Sequence, residues 1–176
     1  MRITRLNPLL SEDQIQTRID ELAKEINEVY NGEPLVVVCV LKGAFMFFSD
    51  LVKRLKGMPQ LDFVRLASYG DASESSHTVN FTKDVEIKLE GKHVLIVEDI
   101  IDTGHSMDFL IRQFRARGAR SLRLAVLLDK KERRELPVTA DFVGFALPSG
   151  FVVGYGLDYA ESYRELPAIY EAEIEE

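Results

Sequence analysis

Several short runs of the chain are continuously apolar and rich in β-branched residues, and this pattern limits the possible folds more than any other feature. The clearest run is Leu35–Leu41 (LVVVCVL), and similar runs follow at 93–97 and 122–128. A strand that is apolar at every position is buried on both faces, which is typical of a parallel sheet covered by helices on both sides. Between the runs, apolar residues recur at helical spacing. The sequence therefore predicts an α/β fold with a central, mostly parallel sheet flanked by helices.

The remaining elements follow from helical periodicity and from residues that start or stop helices. Ser11 and Gln14 match a capping box, and the apolar residues after them keep helical spacing until Gly32. We predict helices over 11–32, over 43–56 and from 103 to about 118, and further strands over 62–68, 85–89, 142–146 and 152–155. Residues 69–83 are polar and aperiodic, which predicts a long loop, and the chain is predicted to end in a short acidic tail.

Composition narrows the class of protein. The 176 residues contain no linker or repeat, which predicts a single domain over 1–176. The net charge of −7 disfavours nonspecific nucleic-acid binding as the main role. No stretch is apolar over the roughly 18 residues that a membrane span needs, and no signal peptide is recognisable, so we expect no membrane contact and a cytoplasmic location. Cys39, the single cysteine, lies in an apolar run and is predicted to be buried.

Three predicted strands end in polar or glycine-containing turns, at residues 42–43, 98–99 and 129–130. In open α/β sheets, ligands bind beyond the carboxyl ends of the strands. The three turns are therefore expected to converge on one binding site at one edge of the sheet.

The most informative segment is 94–107 (VLIVEDIIDTGHSM), in which a buried strand leads through a turn into a helix. Amides at a helix N-terminus favour a phosphate, Thr103 and Ser106 add hydroxyl donors, and Gly104 lets the backbone come close to a ligand. Glu98 and Asp99 could accept hydrogen bonds from sugar hydroxyls or hold a hard cation. The alternative is structural, with the acids capping the helix and Gly104 serving a tight turn.

This segment resembles the signature of type I phosphoribosyltransferases, in which two acids and a loop grip the donor 5-phosphoribosyl 1-pyrophosphate. Four further segments are similar to the hypoxanthine-guanine branch of that family and follow in its order: 41–43 (LKG), 68–70 (SYG), 127–130 (LLDK) and 151–159 (FVVGYGLDY). The resemblance covers about residues 35–164. It implies the type I phosphoribosyltransferase fold, with a small base-binding hood formed by the N-terminal and C-terminal segments.

On the donor side, the resemblance implies that Glu98 and Asp99 hold the ribose hydroxyls close to Mg²⁺, and that Asp158 contacts a second Mg²⁺ through water. The 5-phosphate would lie on Thr103, Gly104, His105, Ser106 and Met107. The pyrophosphate would lie near Leu41, Lys42, Gly43 and Arg164, and in relatives the peptide before the lysine can be cis. His105 departs from relatives that carry lysine at this position, so any positive charge it adds would depend on pH.

On the base side, the resemblance implies purine salvage, in which hypoxanthine and guanine receive ribose 5-phosphate to give IMP or GMP and pyrophosphate. Lys130 would donate to the 6-oxo group of the purine, and Phe151 would stack on the ring. Val152 would offer backbone polar groups to the purine edge, with Asp158 near the 2-amino group of guanine.

Two further roles follow from the same resemblance. Asp102 would act as general base toward the purine nitrogen opposite the one attacked, and its structural alternative is the N-cap of the following helix. Ser68 and Tyr69 would begin a loop that closes over the donor and excludes water from an oxocarbenium-like centre, and the alternative is a disordered loop.

Other classes fit less well. Gly154 and Gly156 lack the third glycine and the context of a dinucleotide-binding turn, no P-loop is present, and neither His77 nor His93 has metal-ligand spacing with His105. Two alternatives stay open: a xanthine-guanine preference, and a nucleotide- or RNA-binding regulator on the same fold. Residues 131–134 are predicted to form a solvated face. Relatives are dimers or tetramers, so a homodimer or homotetramer is expected.

Overall fold

The apolar runs of the sequence lie side by side in one six-stranded sheet, as predicted. The structure is a computed structural model that describes residues 2–69 and 78–175, with the backbone alone for residues 68, 69 and 78. Its elements in chain order are β1 (Arg2–Leu10), α1 (Glu12–Tyr30), β2 (Leu35–Leu41), α2 (Phe45–Val52), β3 (Gln60–Tyr69), β4 (Thr78–Lys83), β5 (His93–Ile101), α3 (His105–Ala116), β6 (Ser121–Lys130), β7 (Phe142–Leu147), β8 (Val152–Val153) and β9 (Ile169–Glu175). The large sheet has the order β4-β3-β2-β5-β6-β7, and every pair is parallel except β3 with β4.

Both faces of β2 are buried because helices cover the sheet on each side. Val37 and Cys39 pack in the core that contains α1 and α2, whereas Val36 and Val38 pack in the core that contains α3. Cys39 is fully buried, which confirms that it is a small core side chain, and burial raises the pKa of its thiol to about 12.

The first helix begins and ends where its sequence signals predict. Gln14 N donates to Ser11 Oγ at 3.2 Å, and Ser11 N donates to Gln14 Oε1 at 2.9 Å, so the capping box is formed. Asn31 closes the helix in the left-handed conformation, directly before Gly32. The second helix is shorter than predicted and ends at Val52, after which Arg54 N and Leu55 N donate to carbonyls three residues back, Leu51 O at 3.0 Å and Val52 O at 3.3 Å. Lys56 N donates to Asn27 Oδ1 at 2.8 Å instead of to a helical carbonyl. Among the described residues, no helix is long and apolar enough to cross a membrane.

The strand predicted over 85–89 is wrong. The buried carboxylate of Asp62 accepts hydrogen bonds from Glu86 N and Ile87 N, both at 2.8 Å. A side chain therefore satisfies the backbone donors that a neighbouring strand would otherwise take. The alternating apolar pattern arises because Val85, Ile87 and Leu89 pack against the core under α3.

The loop predicted over 69–83 is also partly wrong. Residues 78–83 form β4, which pairs antiparallel with β3 through Ser68 with Val79 and Tyr69 with Thr78. The intervening residues 70–77 lie outside the described residues.

A second, three-stranded sheet with the order β1-β9-β8 joins the two ends of the chain. β9 pairs antiparallel with both neighbours, so the segment predicted to be an acidic tail is the central strand of this sheet. β8 is shorter than the predicted strand, because Gly154 and Tyr155 have φ angles of 97° and 50° and turn the chain. Ile169 and Val152 anchor the small sheet in the main core.

Candidate active site

The turn between β5 and α3 forms a cavity of about 170 Å³ at the carboxyl edge of the large sheet. Its lining comprises Glu98, Asp99, Ile100, Ile101, Asp102, Thr103, Gly104, Ser106 and Met107. A neighbouring segment fixes the turn, since Thr103 O accepts hydrogen bonds from Glu135 N at 2.9 Å and Leu136 N at 3.1 Å. The start of α3 thus presents amides and hydroxyls to a small anion-sized space, which suits a phosphate.

His105 is the first residue of α3, and its side chain pairs with an acid from another segment. His105 Nε2 lies 2.7 Å from Glu135 Oε2. The side chain of His105 is therefore engaged by a carboxylate and does not line the cavity, so the phosphate-binding role predicted for this residue would rest on its backbone amide in the turn 103–107, here called the phosphate turn.

Glu98 and Asp99 lie within β5, which extends to Ile101 and so further than predicted. Glu98 Oε1 accepts from Asp99 N at 3.0 Å, and Asp99 Oδ1 accepts from Ile100 N at 2.8 Å. Burial raises the pKa of both carboxyls, and the charge of Asp99 raises the pKa of Glu98 further. Within residues 2–69 and 78–175, no lysine, arginine or histidine forms an ion pair with either acid.

The turn after β2 approaches these acids so closely that only glycine fits. A Cβ on Gly43 would lie 1.7 Å from Asp99 Oδ2, and a Cβ on Gly156 would lie 2.0 Å from Gly43 O. The peptide between Leu41 and Lys42 is cis. The 41–43 turn therefore sits between the acidic pair of β5 and the turn that follows β8.

A group of charged side chains surrounds the other side of that turn. Lys42 Nζ forms an ion pair with Glu161, and this contact lowers the pKa of the Glu161 carboxyl. Arg164 Nη2 lies 2.8 Å from Asp158 Oδ1 and 3.2 Å from Glu161 Oε1, while its Nη1 donates to Gly156 O at 2.8 Å. The structure thus brings together Lys42 and Arg164, both predicted near the pyrophosphate, and pairs Asp158 directly with a cation.

Asp102 does not cap the following helix, so the structural alternative for this residue is wrong. The N-cap of α3 is Gly104, and it makes no side-chain capping bond. Asp102 Oδ1 is buried with no hydrogen-bond partner among the described residues, and Oδ2 lies 3.5 Å from Arg133 Nη1. An unpaired buried carboxylate oxygen is costly in a folded protein unless a ligand uses it.

The residues predicted for the base lie at two places on the same edge. Lys130 is buried at the end of β6, and its Nζ lies 3.8 Å from Glu132 Oε2. Phe151 is 41% exposed just before β8, with its ring 5.7 Å from that of Tyr159. Val152 is the first residue of β8. The side chains of Ser68 and Tyr69 lie outside the described residues, so their predicted roles stay predictions.

The predicted solvated face over 131–134 is wrong for Arg134. Its side chain is only 15% exposed and lies 2.6 Å from Asp129 Oδ1. The one sequence signal for this contact is Asp129 itself, a carboxylate at the end of a buried strand that needs a cationic partner. His93 lies at the opposite end of β5 and contacts Ser121 and Glu33, while His77 falls outside the described residues.

Comparison with known proteins identifies the family. The sequence profile of the phosphoribosyl transferase domain matches residues 9–160. The chain is 45% identical over 174 residues to a hypoxanthine-guanine phosphoribosyltransferase of Aquifex aeolicus, covering 98% of each chain. It is 47% identical over 161 residues to the bifunctional protein TilS/HprT of Listeria innocua and spans only 25% of that protein's length.

A solved structure agrees with the sequence comparison. The crystal structure of a hypoxanthine-guanine phosphoribosyltransferase from Bacillus anthracis superposes with a TM-score of 0.90 at 42% identity, covering 97% of this chain and 99% of the other. The chain belongs to the type I phosphoribosyltransferase family, in its hypoxanthine-guanine branch.

Proposed function

We propose that the chain is a purine salvage enzyme that transfers ribose 5-phosphate from 5-phosphoribosyl 1-pyrophosphate to hypoxanthine and guanine, giving IMP or GMP and pyrophosphate. The observation that carries this proposal is the cavity at the start of α3, which joins a helix N-terminus suited to an anion to the buried acid Glu98 and the partly buried acid Asp99. A phosphate and a sugar diol are the two parts of the donor that such a cavity matches.

The donor would span three neighbouring turns. Its 5-phosphate would bind the amides and hydroxyls of 103–107, and its ribose hydroxyls would donate to Glu98 and Asp99. Its pyrophosphate would lie against 41–43, close to Lys42 and Arg164. The close approach of Gly43 to Asp99 supports this arrangement, because residues 41–43 lie beside the acids proposed to bind the ribose.

Mg²⁺ is proposed as the cofactor, and the oxygen ligands that the chain offers fit this ion in part. Glu98 is a buried and Asp99 a partly buried source of oxygen ligands, and the part of the chain that the structure describes holds no cluster of three metal-ligating side chains. Two carboxylates suit an ion that keeps several waters and takes further oxygens from a phosphorylated substrate. When bound, Mg²⁺ would neutralise negative charge on the pyrophosphate. The family resemblance further suggests that Asp158, whose carboxylate pairs with Arg164, would contact a second Mg²⁺ through water.

The base would bind between Lys130 and the small sheet, which we propose is the hood. Lys130 would donate to the 6-oxo group, which the amino group of adenine cannot replace as an acceptor. Phe151 would stack on the purine, and the backbone of Val152 would meet its edge. Asp158 is placed after β8 to approach the 2-amino group of guanine.

In the reaction, a bond forms between a purine nitrogen and C1 of the ribose as the bond from C1 to pyrophosphate breaks. Asp102 would accept the proton from the opposite nitrogen of the imidazole ring, and the unpaired Oδ1 of Asp102 supports that role. Most of the rate enhancement would come from positioning and from electrostatic stabilisation of the separating charges. Ser68 and Tyr69 would help to exclude water from the reacting centre.

The decisive test is pyrophosphate release from the donor with hypoxanthine, guanine, xanthine, adenine and uracil offered singly. Turnover with hypoxanthine and guanine and none with adenine or uracil would support the proposal. A preference for xanthine would move the chain to a xanthine-guanine specificity. Nucleotide or RNA binding without turnover of any base would indicate a regulator. We further propose a homodimer or homotetramer in the cytoplasm, which light scattering and fractionation would test.

A further inference from the structure

We propose that Arg134 is a positioning residue that fixes Lys130 and Asp102 relative to each other, so that one guanidinium holds the base subsite and the general base in register. This inference rests on the function proposed above. It assigns a role to a residue whose sequence context predicts only a solvated surface.

The contacts of Arg134 join two segments of the site. On the side of Asp102, its Nε donates to Asp102 O at 2.9 Å and its Nη2 donates to Ile101 O at 3.1 Å. On the side of Lys130, Nη2 donates to Lys130 O at 3.0 Å and to Asp129 Oδ1 at 2.6 Å. Nη1 donates to Val138 O at 2.7 Å, which ties the same guanidinium to the following loop.

These contacts begin where the sheet stops. β5 and β6 pair in parallel up to Ile101 with Asp129, and Asp102 and Lys130 come directly after that pair. Beyond this point, hydrogen bonds between β5 and β6 no longer fix the distance between the two segments that carry Asp102 and Lys130. Arg134 takes over that function, because it donates to carbonyls on both sides of the gap.

The side chains that Arg134 would position have little support of their own. Asp102 Oδ1 has no partner among the described residues, and Asp102 Oδ2 has only a 3.5 Å contact with Arg133. Within the described part of the chain, the ion-pair partner of Lys130 Nζ is Glu132, 3.8 Å away. Their placement therefore depends on the backbone that carries them. A displacement of about 1 Å in such a group can slow a reaction about 100-fold.

Lysine could not replace Arg134 in this role. The guanidinium is planar and presents five donors in a fixed fork, whereas the ammonium of lysine is a compact charge with three donors. Lysine could keep an ion pair with Asp129, but it could not reach the carbonyls of Ile101, Asp102 and Lys130 together. Arg134→Lys therefore separates the charge of the residue from its geometry.

The chain offers a matched control in Arg18. Its Nε and Nη2 donate to Gly144 O at 3.0 Å and Val143 O at 2.8 Å, and its Nη1 pairs with two glutamates of α1. Arg18 thus also links a strand to another element through backbone carbonyls, but it touches neither Asp102 nor Lys130. Arg18→Lys therefore shows how the loss of guanidinium hydrogen bonds to backbone carbonyls affects the kinetics when those bonds support only the fold.

The experiment compares Arg134→Lys, Arg134→Gln and Arg18→Lys in single-turnover kinetics, with the affinity for the donor measured separately by calorimetry. For Arg134→Lys we expect the chemical step to slow by about 10- to 100-fold and the KM for hypoxanthine to rise several-fold. Donor affinity should stay within about threefold, because the phosphate turn keeps its own anchors at 135–136. Arg18→Lys should leave all three quantities unchanged.

Double variants separate positioning from stability. If Arg134 acts through its two neighbours, Arg134→Lys should change the chemical step little in an Asp102→Asn background, and should change the KM for hypoxanthine little in a Lys130→Ala background. The proposal would be overturned if Arg134→Lys slowed the chemical step in the Asp102→Asn background, and raised the KM for hypoxanthine in the Lys130→Ala background, by the same factors as in the unmodified protein. Normal kinetics of Arg134→Lys would do the same, as would failure of both Arg134 variants to fold while Arg18→Lys folds. If the unmodified protein turns over no base at all, the proposed function fails, and this outcome is distinct from the others.

Discussion

Two acidic pairs lie on either side of the 41–43 turn, and they differ in what neutralises them. Glu98 is buried and Asp99 is partly buried in β5; both accept hydrogen bonds from local backbone amides, and neither has an ion-pair partner within the described residues. Asp158 and Glu161 lie near the surface, and Arg164 contacts both of them. Lys42 adds a second cation to the surface pair.

The pKa values follow this difference in environment. Burial raises the pKa of Glu98 and Asp99, so each of them favours the protonated state more than an ordinary carboxyl does. The contact with Lys42 lowers the pKa of Glu161, which keeps that carboxylate charged across the neutral range. The buried pair therefore needs positive charge or hydroxyl donors from a ligand, whereas the surface pair already holds the cations that a pyrophosphate would use.

Removal of metal should have the largest effect, because it acts on Glu98 and Asp99, which form no ion pair with a cation among the described residues. We expect turnover to vanish in excess chelator and to return when Mg²⁺ is added. Calorimetry should show in parallel that donor binding weakens without Mg²⁺. Undiminished turnover in excess chelator would mean that the buried acids work without a metal, and the contrast between the two pairs would lose its functional meaning.

Asp102 is a third acid, and its substitution should have the next largest effect. Its Oδ1 has no hydrogen-bond partner among the described residues, and its Oδ2 lies 3.5 Å from Arg133 Nη1. Asp102→Asn preserves size but cannot accept the purine proton, so we expect the chemical step to slow by about 10²- to 10⁴-fold. Thermal stability should change little, because Gly104 and not Asp102 is the N-cap of α3.

Single-turnover kinetics is the right measurement for Asp102→Asn, since product release can mask a chemical defect. Asp13→Asn, an exposed acid in the first turn of α1, is the control for a lost surface charge. An unchanged chemical step would remove Asp102 from the mechanism and leave the phosphate turn beside it intact.

The sequence predicts best those elements whose signals are local. β2, β5 and β6 are recognisable because each is apolar at consecutive positions, and the phosphate turn is recognisable because all its residues are contiguous. The N-terminus of α1 is likewise encoded within four residues by Ser11 and Gln14. Such features can be predicted from contiguous residues alone, without knowledge of contacts to distant parts of the chain.

Most of the failed predictions depend on contacts between distant residues. β1 and β9 are half-exposed strands that pair with each other across the full chain, so neither carries a strong pattern alone. The segment 85–89 alternates like a strand, but Asp62 takes its backbone donors. Arg134 looks like one of several charges after β6, and only the fold places it beside Ile101 and Asp102.

A stability measurement sharpens the comparison at smaller scale. Without metal, the pKa of Glu98 is higher in the folded protein than in the unfolded chain. Between these two pKa values, the folded protein therefore keeps a proton on Glu98 that the unfolded chain has released. Stability should therefore fall as pH rises from about 4.3 through the raised pKa, and Glu98→Gln should reduce this fall. At pH 8 we expect Glu98→Gln to be more stable by about 1 kcal/mol, or about 2–4 °C in Tm, while its activity drops.

Glu28→Gln is the control for this measurement, because Glu28 is an exposed acid of α1. Thermal unfolding of both variants in chelator, followed from pH 5 to pH 9, would test the expectation. A less stable Glu98→Gln protein at pH 8 would mean that the hydrogen bonds of the carboxylate outweigh the cost of burying its charge.

The smallest effect should come from Glu161, because a surface ion pair contributes little in water. Glu161 neutralises Lys42 and Arg164, so the pyrophosphate of the donor must displace its carboxylate to use them. Glu161→Gln removes that competing charge, and we expect the Kd for the donor to fall by about two- to fivefold in calorimetry with Mg²⁺ present. The gain should shrink at high salt, since the charges are exposed.

The lowered pKa of Glu161 fixes the pH dependence of this effect. The carboxylate stays ionised at every pH above its ordinary titration range, so the ratio of the two Kd values should be constant from pH 6 to pH 9. Glu28→Gln should leave the Kd for the donor unchanged at either salt concentration. Weaker donor binding by Glu161→Gln would mean that this carboxylate orients Lys42 and Arg164 for the pyrophosphate and does not compete with it. In that case the charged carboxylate of Glu161 would help the protein to bind the donor, and both acidic pairs would be parts of the donor site.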